Sequence, residues 1–318
     1  SGMSVVLYVV ETNTRRKIWY GMNVVVALFA LITGISDNAY LAMMALFGLL
    51  PLYLFDSIKG VKNYVLLLAV LFSEFQVIDF LAQRFPGQVM DISGLFNIIA
   101  GYSALPLIAA GLWAGVVILH IIEIKAPTDS RIKKKGNTGR WIWLGVIVLA
   151  FLAGSYILYD VNIKGNAERY GALQSYLVIN DDWGTHRWYI WRIGMELYTN
   201  FPLIHKIFGY GPDTFGILTV NNYYEEMVQR YQEKFDSAHN EYLQYLITIG
   251  IAGLLSYLAI LATAITAMIR KAKENPVIMA MPFALLCYGV QAVVNISVPI
   301  VAPVMLTLLM VGVASTRA

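Results

Sequence analysis

The sequence predicts an all-α protein: a polytopic membrane helical bundle of about eight spans, with one large extracytoplasmic loop that contains amphipathic helices. Hydrophobic residues make up 58% of the chain and charged residues only 14%, whereas soluble domains carry about 25% charged residues. Apolar runs of about 20 residues recur, and each is long enough to cross a hydrocarbon core of about 30 Å. Lysine and arginine concentrate in the short connections between these runs.

Eight apolar runs are assigned as spans of a single integral membrane domain, residues 1–318. They are Ile18–Ile35, Ala39–Phe55, Tyr64–Leu81, Leu95–Ile122, Trp141–Leu158, Tyr242–Ile269, Val277–Val294 and Val298–Val313. The fourth is long and contains Pro106, so we expect it to be kinked or to begin as an interfacial segment. The sixth is also long, and we expect it to be tilted.

The basic residues predict which side of the membrane is cytoplasmic, because short cytoplasmic loops are enriched in lysine and arginine. When the spans alternate, almost all basic connections fall on one side, which we expect to be the cytoplasm. These connections hold Arg15, Arg16, Lys17, Lys59, Lys62, Lys125, Arg131, Lys133, Lys134, Lys135, Arg140, Arg270, Lys271, Lys273 and Arg317. Arg84 is the exception on the opposite side. Residues 159–240 then form the one large outer loop, which we expect to be catalytic.

The net charge gives no indication of a nucleic-acid partner, and the cysteine content excludes an internal disulfide. The formal net charge of +3 is small and its basic residues lie in loops, so no nucleic-acid partner is indicated. Cys287 is the only cysteine, so no disulfide can form within the chain.

The outer loop contains a predicted amphipathic helix and a turn. Residues 187–198 have apolar side chains at helical spacing, with Thr185 as a plausible N-cap. We expect this helix to lie on the bilayer through one apolar face. That face is formed by Trp188, Trp191, Met195 and Tyr198. The sequence Gly209-Tyr210-Gly211-Pro212 predicts a tight turn, and such turns most often only connect elements.

A histidine lies where the loop returns to the membrane. Asp236 and Ser237 can cap a helix that begins near Ala238, which would put His239 in its first turn. Free N–H groups and the positive end of the helix dipole suit such a place to an anion. An isolated histidine there is nevertheless more often a polar cap than a catalytic residue.

Acidic residues leave two alternatives open. The adjacent acids Asp181-Asp182 and Glu225-Glu226 invite interpretation as a metal site, although such pairs are more often solvated surface. Glu74 lies within the third span, where an acid is costly and often functional, and it is the best support for a transporter of lipid-linked sugars. No inverted repeat accompanies it, which favours an enzyme.

Several short elements of this chain follow one another in a recognisable order. They are Arg187, Pro202-Leu203, the turn Gly209–Phe215, Arg230 and Ala238-His239-Asn240-Glu241-Tyr242-Leu243, preceded by Ser93–Asn97 and Ala100–Tyr102. This order over about residues 90–260 resembles the O-antigen ligase and polymerase superfamily of bacterial envelope glycosyltransferases. Residues 204–207 depart from the pattern, since they lengthen the usual join before the turn.

The resemblance implies a glycosyltransferase of the bacterial inner (plasma) membrane with its active site on the extracytoplasmic side. Its donor would be an undecaprenyl pyrophosphate-linked oligosaccharide. Arg187 and Arg230 would stabilise the departing pyrophosphate, and His239 would take a proton from the acceptor or hydrogen-bond the pyrophosphate. The further residues expected to bind substrate are Arg192, Asn240, Tyr210 and Gly211. No metal or other cofactor is expected, and direct displacement would invert the anomeric centre.

The resemblance leaves the acceptor open. A polysaccharide polymerase of the O-antigen or capsule type is narrowly preferred. An O-antigen ligase with a lipid-linked acceptor and a protein O-glycosyltransferase would share the same arginine–histidine site. A lipid-linked sugar transporter is the less favoured alternative outside the enzyme class.

Overall fold

The structure is a computed structural model that describes residues 2–34, 36–88, 94–125 and 138–317. These ranges contain helices and no β-strand, which confirms the all-α membrane bundle. Six helices are long and apolar enough to cross a membrane, and two shorter apolar helices, Pro276–Gln291 and Ala302–Ser315, cover most of the last two predicted spans. Some residues used in the sequence analysis lie outside the described ranges: Ile35, Ser93, Arg131, Lys133, Lys134 and Lys135.

The chain divides into two compact units, Ser1–Ile157 and Leu158–Ala318. The helices of the first are α1 (Gly2–Val10), α2 (Thr14–Thr33), α3 (Asp37–Leu54), α4 (Ile58–Arg84), α5 (Leu95–Ala100), α6 (Leu105–Lys125) and most of α7 (Thr138–Asn162). The second continues with a 3₁₀ segment (Ala167–Leu173), α8 (Gln174–Leu177), α9 (Trp183–Asn200), α10 (Leu203–Phe208) and α11 (Thr214–Tyr231). It ends with α12 (Glu241–Thr248), α13 (Gly250–Lys271), a 3₁₀ turn (Pro276–Met279), α14 (Ala280–Gln291) and α15 (Ala302–Ser315).

The predicted fourth span is two helices, which confirms the expected interruption near Pro106. Helix α5 ends at Ala100 and α6 begins at Leu105. Pro106 is therefore in the first turn of α6, where a missing N–H removes no helical hydrogen bond.

Ion pairs join the ends of helices within the first unit. Lys62, near the start of α4, pairs with Glu123, near the end of α6. Arg140, near the start of α7, pairs with Asp56, just after α3, at 3.0 Å. The start of α4 therefore lies beside the end of α6, and the start of α7 lies beside the end of α3. This arrangement is expected when successive spans cross the membrane in opposite directions.

The predicted sixth span is a broken helix. Helix α12 ends at Thr248 and α13 begins at Gly250, whose φ is +67°. A Cβ on Gly250 would overlap the backbone of Ile207, so both the backbone conformation and the space require glycine. This break places a short helix, α12, directly after His239.

Candidate active site

Helix α9 carries Arg187 and begins irregularly. Gly184, Thr185 and His186 have positive φ, so regular α-helical geometry starts at Arg187. The prediction that Thr185 is the N-cap is wrong, because an N-cap residue is extended whereas Thr185 has φ +60°. Left-handed backbone at a β-branched residue is unusual and strained.

One face of α9 packs into the core of the second unit. That core consists of Tyr189, Ile190, Ile193, Leu197, Phe201, Phe215, Met227, Phe235, Ala238, Leu243 and Ile247. Of the predicted apolar face, Trp188 and Met195 are exposed, whereas Trp191 and Tyr198 pack against this core. The helix is amphipathic as predicted, but half of the expected membrane-facing set stabilises the loop itself.

Arg187 is a half-buried cation without a counter-ion. Its Nε is buried and has no hydrogen-bond partner in the described residues, where it also forms no ion pair. Burial lowers the pKa of Arg187, but a guanidinium starts so high that it stays charged at neutral pH. A half-buried charge of this kind is well suited to bind an anion.

His239 lies before helix α12 rather than in its first turn. The helix begins at Glu241, and Asn240 caps it by accepting hydrogen bonds from the N–H groups of Tyr242 and Leu243, each at 3.0 Å. The predicted start near Ala238 with caps from Asp236 and Ser237 is therefore wrong. His239 has φ +46°, a left-handed backbone conformation outside the helix.

Most N–H groups at the start of α12 are used within the protein. The N–H of Ala238 donates to Gln244 Oε1 at 2.9 Å, and the N–H of Glu241 donates to the Ala292 carbonyl at 2.9 Å. With the two N–H groups that Asn240 accepts, these donors are all used within the protein. Of the N–H groups expected from Ala238–Asn240, that of Ala238 is used and that of His239 lies 3.4 Å from Ser237 Oγ. Donation to a ligand therefore stays a prediction for Asn240, whose side chain caps the helix.

The structure brings Arg187 and His239 together. Burial lowers the pKa of His239, and the Arg187 cation lowers it further, while Asp236 opposes the shift. Trp191, one turn after Arg187, donates its indole N–H to the Ala238 carbonyl at 3.0 Å and so ties α9 to the residue before His239. A neutral imidazole at pH 7 is able to accept a proton.

Arg230 contacts carboxylates shared with Arg192. Its Nη1 is 2.8 Å from Asp181 Oδ2 and its Nη2 is 3.4 Å from Glu226 Oε1. Arg192 Nη2 lies 3.1 Å from Asp181 and 3.5 Å from Glu226. Burial opposes ionisation of Asp181, but hydrogen bonds from Arg192 and Arg230 outweigh it and lower its pKa. The structure thus joins Arg230 with Arg192 in one four-residue charge cluster.

The charge cluster and the Arg187–His239 pair adjoin through aromatic side chains. The rings of His186 and Tyr231 are 4.2 Å apart between centroids, and these residues directly precede Arg187 and follow Arg230. The guanidinium groups of Arg192 and Arg230 lie 5.2 and 5.9 Å from the centre of the Tyr189 ring.

The glycine-rich turn holds the end of α12. The N–H groups of Tyr210 and Gly211 donate to the carbonyls of Ile247 and Thr248 at 3.1 and 2.8 Å. A Cβ on Gly209, whose φ is +74°, would overlap the backbone of Thr248. The N–H of Gly211 therefore serves the fold. The Tyr210 ring stacks on His205 at 3.9 Å and contacts Phe201 edge to face at 4.5 Å, and it is 36% exposed.

Sequence reasoning missed the role of Glu241. Its side chain is buried, and its two carboxylate oxygens accept hydrogen bonds from Tyr257 at 2.9 Å and Tyr288 at 2.6 Å. These tyrosines lie on α13 and α14, so no local pattern reveals them. These hydrogen bonds hold Glu241 in place. Glu241 begins α12 and lies two residues after His239.

Three of the four acids that invite interpretation as a metal site have other partners. Asp181 and Glu226 bind the two arginines, and Asp182 lies 3.5 Å from His186. Within the described part of the chain, no three metal-ligating side chains cluster in a way that would hold an ion.

A comparison with protein family models assigns the part of the chain that contains this site to a known family. A family model described as O-antigen ligase matches residues 89–258, which is more than half of the 318 residues. The matched range includes Arg187, Arg230 and His239, together with the break before Gly250. No curated protein matches the chain.

Proposed function

Because this chain belongs to the O-antigen ligase family, we propose that it transfers a glycan from an undecaprenyl pyrophosphate-linked donor to an acceptor hydroxyl. Members of the family are glycosyltransferase-like enzymes of lipid-linked glycans. One observation carries the proposal: Arg187, which has no ion-pair partner among the described residues, is close enough to His239 for its charge to lower the pKa of that imidazole. The reaction is proposed to occur at the outer leaflet of the bacterial inner membrane.

The pair supplies the two functions that the transfer needs. As the bond between the anomeric carbon and the pyrophosphate oxygen breaks, negative charge grows on the pyrophosphate, and the Arg187 guanidinium stabilises it through forked hydrogen bonds. The acceptor oxygen forms the new bond to the anomeric carbon, and its proton passes to the His239 imidazole. Direct displacement inverts the anomeric centre, and no metal ion is required.

Arg230 and Arg192 are proposed as a second contact for the pyrophosphate. Their side chains are 50% and 41% exposed, so an incoming anion can compete with Asp181 and Glu226 for them. Asn240 acts differently, since it holds the start of α12 and thereby positions His239. Tyr210 is proposed to contact a sugar through the exposed part of its ring.

Polymerisation of polysaccharide repeat units is the preferred reaction. The many aromatic side chains in residues 159–240 can stack on the sugars of a glycan, and they fit a ligase as well as a polymerase. A ladder of repeat units on the carrier lipid would identify a polymerase. A single glycan moved onto a lipid or protein acceptor would instead identify the ligase or O-glycosyltransferase alternative.

The test is transfer by the purified full chain with lipid-linked repeat units, resolved by gel and mass spectrometry. We expect Arg187→Ala and His239→Ala to lower the rate by about 10²–10³-fold, the usual loss for a group that stabilises or deprotonates in the transition state. Arg169→Ala removes an exposed cation from the same segment and should leave the rate unchanged. Normal rates in both site variants would refute the assignment. Activity lost to a chelator and restored by Mg²⁺ would refute the metal-free mechanism.

A further inference from the structure

A groove of about 550 Å³ opens in the second unit beside the charge cluster. Its lining includes Ala172, Gln174, Ser175, Asn180, Asp182 and Trp183. Its size is within the range of about 300–1,000 Å³ that is usual for small-molecule sites. None of its lining residues belongs to the Arg187–His239 pair, and the family motif leaves the groove without a role.

The lining of the groove fits a saccharide. Two amides, a hydroxyl and a carboxylate offer donors and acceptors in the mixture that sugar hydroxyls need. The Trp183 ring supplies an apolar wall, and its indole N–H is already used by the Tyr176 carbonyl at 2.9 Å, which fixes the ring in place.

The charge of the lining narrows the class of sugar. Among the lining residues there is one acid, Asp182, and no lysine or arginine. The Asp182 side chain is 74% exposed, with its Oδ1 3.5 Å from His186 Nδ1. A pyrophosphate or a uronic acid would be repelled, whereas a neutral or N-acetylated sugar would be accepted.

The groove also lies next to the proposed chemistry. The Trp183 ring contacts Trp191 edge to face, with centroids 5.8 Å apart, and Trp191 hydrogen-bonds the Ala238 carbonyl beside His239. Asp182 directly follows Asp181, the partner of Arg230. Trp191 therefore contacts both a lining residue of the groove and the residue before His239.

We propose that this groove is a saccharide subsite that binds an uncharged sugar unit of the glycan. The proposal rests on the proposed function for its biological meaning, but binding itself requires no transfer. The sugar belongs either to the acceptor or to the donor glycan, and the same chemistry recognises both.

Ligand-observed saturation-transfer NMR on the full chain in detergent tests the subsite. The probes are N,N′-diacetylchitobiose, lactose and digalacturonic acid. We expect at least one neutral disaccharide to bind and the acidic one to bind at least about fivefold more weakly, a difference equal to one ordinary polar contact. No binding of either neutral probe, or tighter binding of the acidic one, would overturn the proposal.

Two matched variants locate that binding. Ala172→Trp fills the groove and should weaken binding of the neutral disaccharide at least about fivefold. Glu168→Trp adds the same ring at an exposed position of the same 3₁₀ segment outside the groove, and binding should persist. Equal binding by both variants would place the sugar elsewhere and refute the subsite.

A second probe, farnesyl pyrophosphate-linked N-acetylglucosamine, distinguishes an acceptor sugar in the groove from a donor sugar. If the groove holds the acceptor, Ala172→Trp weakens only the free disaccharide; if it holds donor sugar, both ligands bind more weakly. Arg187→Ala should leave disaccharide binding unchanged. Binding that survives while all transfer assays fail would refute the proposed function and retain the subsite.

Discussion

Each unit of the chain contains a buried glutamate, but among the described residues only the glutamate of the second unit has hydrogen-bond partners. In the first unit, both carboxylate oxygens of Glu74 are buried and have no hydrogen-bond partner in the described residues. In the second, both oxygens of Glu241 accept tyrosine hydroxyls. Because an unsatisfied buried polar group costs stability, the difference shows where precise positioning has been favoured. The satisfied acid is in the unit that holds His239.

Backbone strain is divided between the units in the same way. All described non-glycine residues with positive φ lie in the second unit: Thr185, His186, Asp213, Gln232 and His239. In the first unit, positive φ occurs among the described residues only at Gly87 and Gly94. Each strained non-glycine residue costs about 1–3 kcal/mol, and such strain clusters at functional sites. Three of the five are His239 itself or the two residues before Arg187.

The largest expected difference concerns glycines with similar φ in the two units. Gly250→Ala should destabilise the protein by about 4 kcal/mol or prevent folding, because the new Cβ overlaps the backbone of Ile207. Gly87→Ala has comparable φ, +79°, but no described atom within 4 Å, so only the backbone cost of about 1 kcal/mol applies. Thermal unfolding in detergent measures both. Equal destabilisation would show that the α12–α13 break is not tightly packed.

The buried acids give the next largest contrast. Glu241→Gln should cost about 1.5–3 kcal/mol, because one of two charge-assisted tyrosine hydrogen bonds is weakened and an amide NH₂ faces the other hydroxyl. Glu74→Gln should change stability by less than about 0.5 kcal/mol, since no described bond is lost. The same unfolding measurement decides. A larger loss for Glu74→Gln would reverse the comparison.

The acid that pairs two arginines has a smaller and different effect. Asp181→Asn should alter stability by less than about 1 kcal/mol, because the pairs are partly exposed and screened by solvent. It should strengthen farnesyl pyrophosphate binding about fivefold, because a competing carboxylate is removed from Arg192 and Arg230. Isothermal titration measures this affinity.

An ion pair in the first unit provides the control for that variant. Asp56→Asn disrupts the 3.0 Å pair with Arg140 and should leave pyrophosphate affinity unchanged. Weaker binding in Asp181→Asn would mean that Asp181 orients the arginines for the ligand rather than competing with it.

Periodicity and hydropathy were sufficient to predict the long helices of the first unit, but neither α1 nor the construction of the second unit. Pro106 is a local signal, so the break before α6 was predictable. The break before Gly250 depends on the backbone of Ile207, about forty residues earlier, and no periodic pattern contains it. The cap of α12 was misplaced because Asp236, Ser237 and Asn240 are all good N-cap residues and only the tertiary packing selects Asn240.

For the site, residue types could be predicted more readily than pairings. Arg187, Arg230 and His239 carry the motif, and the structure places Arg187 beside His239. Arg230 has instead the carboxylates of Asp181 and Glu226 as partners. Both acids were visible in the sequence, but residue spacing does not tell a metal ligand from an arginine partner when the contacts join separate helices.

The smallest expected effect is a shift in the titration of His239. Burial and the Arg187 cation lower its pKa from 6.5, so Arg187→Gln should move it upward by removing one of those causes. Arg84→Gln in the first unit serves as the control and should leave it unchanged. NMR of labelled histidine side chains follows the titration, and His239→Gln assigns the signal among the four histidines.

The pH dependence of stability should follow the protonation of His239, and its direction can be stated. Since the folded pKa of His239 is lowered, the unfolded chain binds the proton more tightly, and stability is full above about pH 6.5 and falls as the pH drops below it. Transfer should fail at a lower pH, where the folded protein reaches the lowered pKa of His239, because a protonated imidazole accepts no proton. If Arg187→Gln leaves the His239 titration in place, the two side chains are not electrostatically coupled, and the pairing on which the mechanism depends is wrong.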